Sequence, residues 1–175
     1  VRNTADTPEF LRELARDAIK AGASMFVGTG PHVLRGIEMY QSRPICYSLG
    51  NFAYQTETID RFPPESYAYY GVDDTSDPAG LLRSRYRDED GQPIGSLARN
   101  DYWESVVPTC EFNGDELVSM QLYPCSLGQD QPLPRRGTPA LATGEHADAL
   151  LKRLAVLSEP FGTKLAINYG VGEIS

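Results

Sequence analysis

The chain has 175 residues, of which 41% are hydrophobic and 23% charged, a balance typical of one globular domain with a sizeable core. Its net charge of −8 arises from 16 basic and 24 acidic residues without a long basic run, which argues against a nucleic-acid partner. The sequence contains neither an apolar run of roughly 20 residues that could span a bilayer nor a charged-then-apolar leader.

The first 27 residues predict a helix followed by a strand. Thr7 is expected as the N-cap with Pro8 at the first helical position, and Gly22 is expected to end the helix. Met25–Val27 is typical of a short, fully apolar strand. Because the chain opens on Val1 and runs almost directly into this helix signal, we expect a fragment of a longer protein, and the sequence alone leaves its localisation unknown.

The middle of the chain combines two short strands with a long irregular segment. The strands are expected at 37–40 and 44–48, joined by a tight connection at 41–43. Residues 55–101 are rich in Asp, Tyr, Arg and Pro, and we interpret them as a long, partly helical excursion over the surface. The best helix candidate within this excursion is Pro78–Tyr86.

The last third predicts a β-hairpin, a helix and a final strand. The hairpin strands are 103–112 and 117–123, with Asn113–Asp115 as the turn. Thr143 is expected to cap a helix through about Leu157, and a last strand is expected at 164–169. The whole chain, 1–175, is therefore predicted to be a single α/β domain.

The three cysteines are an odd number and none forms a Cys-x-x-Cys pair. Cys46, Cys110 and Cys125 lie among apolar or β-forming residues, which favours buried free thiols, with a Cys110–Cys125 bridge as the alternative. A nucleophilic pair of Cys46 and His32 is disfavoured because Cys46 lies in an apolar run.

His32 is the strongest candidate for a functional residue, because it lies in a Gly/Pro-rich turn directly after an apolar strand. In α/β folds, ligands bind at the carboxyl ends of such strands. The turn, Gly28–His32, lacks the third glycine of a dinucleotide-binding loop, and Glu38 follows six residues after the histidine. A lone histidine in a turn is also often structural, so both interpretations stay open.

Two motifs carry a resemblance to a known family. The first is Gly28-x-Gly-Pro-His32 with Glu38 downstream, and the second is Pro44-Ile-x-Tyr-Ser-Leu-Gly-Asn-Phe52. Together they resemble the CapA family of poly-γ-glutamate capsule biosynthesis proteins, which is related to the calcineurin-like metallophosphoesterases. Weaker similarity extends over nearly the whole chain, but only as the C-terminal half of the family's domain. The supporting segments are 102–107, 122–128, 136–139 and 161–163.

The resemblance implies part of a four-layer calcineurin-like α/β sandwich with a site for divalent metal, such as Mn, Zn or Fe. His32 matches the second histidine of the family's last metal-binding turn, whereas Thr29 stands where the first histidine is usual. A threonine hydroxyl is a poor substitute for an imidazole ligand. The remaining ligands would belong to the missing N-terminal half of the same domain, so metal binding by this fragment is in doubt.

The predicted site contains four residues. The resemblance assigns His32 as metal ligand and catalytic residue, and Glu38 as the downstream carboxylate of the catalytic machinery. Arg35 and Asn51 are candidate contacts of the substrate. Each has a simpler alternative: Glu38 as an exposed strand carboxylate or a partner that orients His32, Arg35 as a solvated side chain, and Asn51 as a cap of the strand end.

Two classes of function follow from the resemblance. One is a metallophosphoesterase-like enzyme of capsule biosynthesis that uses a metal-activated water, and the other is a non-catalytic polymer-handling or assembly protein with a degenerate metal site. A further alternative is a fragment that is inert until its missing half completes the site. The implied partners are an anionic polymer or phosphoester substrate and other capsule-synthesis proteins, and the implied location is membrane-associated or extracytoplasmic.

Overall fold

The structure, a computed structural model, describes residues 6–55, 58–73 and 76–174 and is mixed α/β, as the sequence predicts. Among these residues, no helix combines the length and hydrophobicity that a membrane crossing requires. The elements in chain order are α1 (Glu9–Lys20), β1 (Phe26–Val27), β2 (Ile37–Tyr40), β3 (Arg43–Cys46), α2 (Pro64–Tyr69), α3 (Pro78–Tyr86), β4 (Glu104–Asn113), β5 (Glu116–Ser126), β6 (Ala140–Leu141), α4 (Gly144–Ser158), β7 (Ala166–Asn168) and β8 (Val171–Ile174).

The first sheet is small and is built from the N-terminal strands in the order β1-β3-β2. β1 pairs parallel with β3, and β2 pairs antiparallel with β3 as a hairpin. The turn between β2 and β3 places Gln41 and Ser42 at φ 52° and 60°, the left-handed conformation that a two-residue hairpin turn requires. The predicted tight connection is therefore confirmed, although neither residue is the glycine that such turns prefer.

Helix α1 covers one face of this sheet. It begins at Glu9, and Pro8 rather than Thr7 occupies the N-cap position, with extended backbone and no side-chain cap hydrogen bond. The prediction of Thr7 as the cap is therefore wrong: the chain turns into the helix one residue later. The fully buried residues that join α1 to the sheet are Ala15, Ile19, Ile45 and Tyr47.

The second sheet has the order β4-β5-β8-β7, with β6 paired to β5. The β4–β5 hairpin confirms the predicted turn at Asn113–Asp115, where Gly114 has a φ of 64°. The predicted last strand is shorter than expected, at Ala166–Asn168, and it is followed by β8, which the sequence did not predict. Because β8 is short and pairs with β5, about fifty residues away in sequence, no local pattern marks it.

Helix α4, which confirms the predicted helix, packs between the two sheets and joins them into one core. Thr143 is its N-cap residue, but the threonine side chain makes no cap hydrogen bond. The buried residues of this core come from β2, β3, the second sheet, α4 and the turn after His32, and they are Leu34, Ile37, Cys46, Val106, Met120, Leu122, Leu150, Leu151, Leu154 and Ile174.

The outer edge of β2 is closed by the end of α4 and the residues that follow it. Ser158 Oγ accepts the backbone N–H of Ile37 at 3.0 Å, and Thr163 Oγ1 accepts that of Met39 at 3.2 Å. A Cβ atom at Gly36 would overlap the carbonyl oxygen of Leu157, so only glycine permits this approach. Side-chain hydroxyls thus satisfy backbone donors that would otherwise be left without partners inside the protein.

The described part of the excursion, 58–73 and 76–101, contains the helices α2 and α3. α3 at Pro78–Tyr86 confirms the predicted helix, and its cap is the carboxylate of Asp77, which accepts the backbone N–H of Gly80 at 2.6 Å. The excursion rejoins the domain through a separate small core in which Trp103 packs with Leu97 and Leu127.

We predict that Ser158→Ala lowers the free energy of unfolding by about 1–3 kcal/mol, because it leaves the buried N–H of Ile37 without an acceptor. Ser158 is fully buried, and its hydroxyl also donates to Leu154 O at 2.8 Å. Urea unfolding followed by circular dichroism measures the change. The matched control is Ser84→Ala, an exposed helix position, where a change below about 0.5 kcal/mol is expected. Equal losses of unfolding free energy in Ser158→Ala and Ser84→Ala would contradict the role of the Ser158 hydroxyl as acceptor for Ile37.

Candidate functional site

The candidate site is centred on the turn that follows β1. Gly28 N donates to Cys46 O at 2.8 Å, which fixes the start of this turn against β3. His32, at its end, has a φ of 63°, in the left-handed region that non-glycine residues rarely adopt. Such backbone conformations concentrate at functional sites, because the surrounding structure must hold them in place.

Asn51 reaches this turn because the chain after β3 passes from the first sheet to the second. Leu49 forms an isolated bridge with Leu34, and Gly50 forms one with Ser105 in β4. Gly50 has a φ of 80°, and a Cβ atom there would lie 2.5 Å from Glu104 O, so glycine is required.

The imidazole of His32 is held in one tautomer. Its Nδ1 lies 2.8 Å from Asn51 Oδ1, and Asn51 Nδ2 donates to Tyr102 O at 2.9 Å. Because a backbone carbonyl only accepts, the amide nitrogen of Asn51 must face Tyr102, and its oxygen must therefore accept a proton from His32. The neutral imidazole thus carries its proton on Nδ1 and its lone pair on Nε2, the arrangement seen in histidines that bind metals or accept protons.

The end of the excursion and the residue that follows it, from Arg99 to Tyr102, form one wall of the site. The ring of Tyr102 stacks on His32 with centroids 5.9 Å apart and planes 19° from parallel. The guanidinium of Arg99 lies 4.7 Å from the centroid of the same ring and pairs with Asp101. The sequence did not identify Tyr102 and Arg99 as site residues; only the similarity of segment 102–107 to the family drew attention to this region.

Glu38 lies on the side of β2 that faces α1, and its carboxylate is fully engaged. Oε1 accepts from Arg16 Nε and Nη2 at 3.0 and 2.7 Å, and Oε2 accepts from the Tyr47 hydroxyl at 2.5 Å. Burial, reinforced by this bond to Glu38, raises the pKa of Tyr47, and the bond to Glu38 raises the pKa of Arg16. The hydrogen bonds of the described residues join Glu38 to α1 and β3 rather than to His32, so its catalytic role stays a prediction.

Thr29 and Arg35 lie on either side of His32 in the sequence and differ in their exposure to solvent. Thr29 is exposed on the turn. The backbone N–H of Arg35 donates to Ser48 O at 3.1 Å, and burial lowers the pKa of the Arg35 guanidinium. The structure thus fixes the backbone of Arg35 beside the second motif, and its role in substrate binding stays a prediction.

The described part of the chain does not assemble a metal centre by itself. Within residues 6–55, 58–73 and 76–174, no three His, Cys, Asp or Glu side chains are grouped so as to hold an ion. Cys46 is buried, and burial raises the pKa of its thiol, which disfavours the thiolate needed for nucleophilic attack. All three cysteines are free, as the sequence predicts.

The second histidine of the chain has a different environment. His146, at the start of α4, is exposed as predicted, and its Nε2 lies 3.0 Å from Glu104 Oε1. Arg153 also donates to Glu104, so a largely buried carboxylate ties α4 to the start of β4. The sequence did not predict this contact, because Glu104 is 42 residues from His146 and 49 residues from Arg153.

We predict that the two neutral histidines adopt opposite tautomers. His32 should carry its proton on Nδ1, because Asn51 Oδ1 accepts it, and His146 should carry its proton on Nε2, because Glu104 accepts it. Long-range ¹H–¹⁵N NMR spectra of the imidazole rings at alkaline pH distinguish the two forms. Asn51→Ala should release His32 from the Nδ1–H form and leave His146 unchanged. An Nε2–H tautomer of His32 in the wild type would contradict the geometry.

We predict that Glu38→Gln lowers the free energy of unfolding by about 1–2 kcal/mol, because it removes the charge that binds Arg16, while partial exposure of Arg16 screens the pair. Thermal or urea unfolding measures the change. The control is Glu9→Gln on α1, an exposed pair with Arg12, where less than about 0.5 kcal/mol is expected. If Glu38→Gln and Glu9→Gln lower the free energy of unfolding equally, the pair of Glu38 and Arg16 does not hold β2 to α1.

Comparison with known proteins relates the chain to a bacterial protein family. Residues 2–56, which include all four predicted site residues, match the model of the family "Bacterial capsule synthesis protein PGA_cap". Two proteins of Sinorhizobium fredii (strain NBRC 101917 / NGR234), described as uncharacterized proteins y4sH and y4uA, are each 42% identical over 178 residues. These alignments cover 98% of this chain but 38% of each relative.

A shorter match links the chain to a protein with a stated role. The PGA biosynthesis protein CapA of Bacillus subtilis (strain 168) is 54% identical over 43 residues, which cover 25% of this chain and 11% of that protein. The chain thus spans well under half the length of the relatives it matches. Through the family match over residues 2–56 and the similarity to CapA, the chain is related to the CapA family of bacterial capsule synthesis proteins.

Proposed function

We propose that this chain supplies one wall of a metallophosphoesterase-like site in a protein of capsule or poly-γ-glutamate biosynthesis. The observation that carries the proposal is the orientation of His32, whose Nδ1 is held by Asn51 so that the Nε2 lone pair is available for binding. The strain of its backbone, at a φ of 63°, supports a functional role for this histidine. A partial calcineurin-like sandwich is the fold we propose for this arrangement.

His32 would hold a divalent Mn, Zn or Fe ion through Nε2 as one of several ligands. Such an ion, when bound, lowers the pKa of a coordinated water and stabilises the charge that develops on a phosphoryl group. Among the described residues, no three His, Cys, Asp or Glu side chains are grouped so as to hold an ion, so the other ligands belong, in this proposal, to parts of a longer protein. The relatives y4sH and y4uA, of which the chain covers 38%, are long enough to contain such a segment.

The neighbouring residues have separate proposed roles. Asn51 orients His32 and links it to the excursion through Tyr102. Arg35 is proposed to bind the anionic group of a phosphoester or polymer substrate, as guanidinium groups do. Glu38 supports the site from a distance, because its carboxylate binds Arg16 and Tyr47 and so fixes β2 against α1.

A second candidate function is a non-catalytic role in handling or assembling the capsule polymer. Thr29 supports it, because an exposed hydroxyl stands where the family's turn usually has a histidine. In this case His32 would help to maintain the fold of the turn and would not bind a metal ion at the metal concentrations at which the protein functions.

The test compares His32→Ala with His146→Ala, which replaces the other of the two histidines in the chain. The complete gene product, purified with Mn²⁺ or Zn²⁺, should bind metal and hydrolyse bis-p-nitrophenyl phosphate. His32→Ala should lower the amount of bound metal and reduce the hydrolysis rate by at least about 100-fold, because one ligand of the metal ion is lost. His146→Ala should retain metal binding and hydrolysis, because the imidazole of His146, in α4, contacts Glu104 at the start of β4.

Metal content is measured by atomic absorption, and hydrolysis by release of p-nitrophenolate. Equal metal content and equal rates in the wild type and His32→Ala would overturn the proposed enzyme. If the complete product bound no metal and showed no hydrolysis, the non-catalytic candidate would stand in its place.

A further inference from the structure

A pocket outside the predicted site lies between the end of the excursion and the turn that follows β5. It encloses a cavity of about 360 Å³, a size typical of small-molecule sites. Asn100 and Trp103 line it on the side of the excursion, and the turn at 128–131 lines it on the other side. None of the described residues that line it belongs to the 28–52 segment, so the pocket shares no described residue with the metal site proposed around His32.

The turn at 128–131 is fixed at its base. Leu127, directly before it, is fully buried, and its backbone N–H donates to Trp103 O at 2.8 Å. Within the turn, Gln131 N donates to Gly128 O at 3.0 Å, and Gly128 has a φ of 62°, a conformation that favours glycine. The side chains of the turn therefore project from an ordered backbone, so binding does not require a loop to become ordered first.

Glu104 also lines the pocket and is a fixed part of its wall. Its side chain is buried, Oε2 accepts from Arg153, and Oε1 lies 3.0 Å from Nε2 of His146. Because both oxygens of this carboxylate have partners within the protein, Glu104 supports the wall. The hydrogen-bonding groups that a ligand can reach come from the turn at 128–131 and from Asn100, whose side chain is exposed.

The side chains around the pocket combine donors with acceptors. Asn100, Gln129 and Gln131 carry carboxamides, each of which has an amide group that donates and an oxygen that accepts. Gln129 Nε2 donates to Leu97 O at 2.8 Å, which fixes the orientation of this side chain and leaves its oxygen as an acceptor. The carboxylate of Asp130, exposed on the same turn, only accepts.

A polyhydroxylated ring complements this set of groups. Each hydroxyl of a sugar both donates and accepts, and a planar carboxamide offers a partner for each role. The two oxygens of Asp130 can accept from neighbouring hydroxyls of one ring. An anion would instead approach this carboxylate, and a cation would leave the amide N–H groups without an acceptor.

We propose that this pocket binds a sugar in its pyranose form through hydrogen bonds from the ring hydroxyls to Asp130, Gln131 and Asn100. Trp103 is only 3% exposed, so its indole ring forms part of the wall and offers little area for stacking. A small ligand held mainly by hydrogen bonds binds weakly, and we expect a dissociation constant on the order of 1 mM.

Saturation-transfer difference NMR on the complete gene product measures this binding. Glucose, galactose and mannose differ in the orientation of single hydroxyl groups, and at least one of them should give a saturable signal. Tetrahydropyran, which has the same ring without hydroxyls, should give no saturable signal at the same concentrations. A site built to hydrogen-bond hydroxyls rejects an analogue that lacks them, because its polar groups are then left without partners.

Variants on the turn locate the bound sugar. Asp130→Ala should weaken binding by about tenfold, and Gln131→Ala by about threefold, because a charged and a neutral hydrogen-bonding partner are lost. The matched controls are Asp90→Ala and Gln92→Ala, at exposed positions outside the lining of the pocket, and both should bind like the wild type. Circular dichroism checks that all four variants are folded.

Three results would overturn the proposal: no saturable signal with any of the three hexoses, equal binding of tetrahydropyran and the hexose, or equal affinities of Asp130→Ala and Asp90→Ala. The first would show that the pocket does not bind a pyranose. The second would show binding without recognition of the hydroxyls, and the third would show binding elsewhere on the protein. Hexose binding is measured without metal and without hydrolysis, so the failure of the His32 experiment would leave this outcome unaffected.

Discussion

Helix α4 shares one core with both sheets of this domain, and hydroxyls at its end and just after it accept the backbone N–H groups of β2. Ile37 and Met39 turn their N–H groups away from β3, and the hydroxyls of Ser158 and Thr163 accept them. Gly36 lets the helix end approach closely enough for these bonds to form. Because a buried donor without a partner costs more than an ordinary hydrogen bond contributes, this junction fixes how the N-terminal strands sit on the rest of the domain.

The candidate site depends on this arrangement, because its residues come from three separate segments. His32 follows β1, Asn51 lies beyond β3, and Tyr102 lies at the end of the excursion. The amide of Asn51 connects the other two, and its orientation is determined by the carbonyl of Tyr102. The backbone carbonyl of Tyr102, just after the excursion, thereby determines which ring nitrogen of His32, in the turn after β1, carries the proton.

The end of the excursion contributes to the candidate site. Its return packs Trp103 with Leu97 and Leu127 and places Tyr102 over His32. The small core that contains Trp103 thus anchors the excursion beside the candidate site. Long insertions of this kind are often where function resides, since they add side chains to a rigid scaffold.

The sequence by itself determined the α/β class, the helices α3 and α4, the β4–β5 hairpin and the family relationship, because each depends on local periodicity, turn residues or a short motif. It also identified His32 and Asn51 as candidate site residues. Only the tertiary structure decided what these residues contact: that Glu38 binds Arg16 and Tyr47, that His146 binds Glu104, and that Asn51 fixes the tautomer of His32. The sequence could not supply these pairings, because partners 9 to 42 residues apart are brought together by packing that no local pattern encodes.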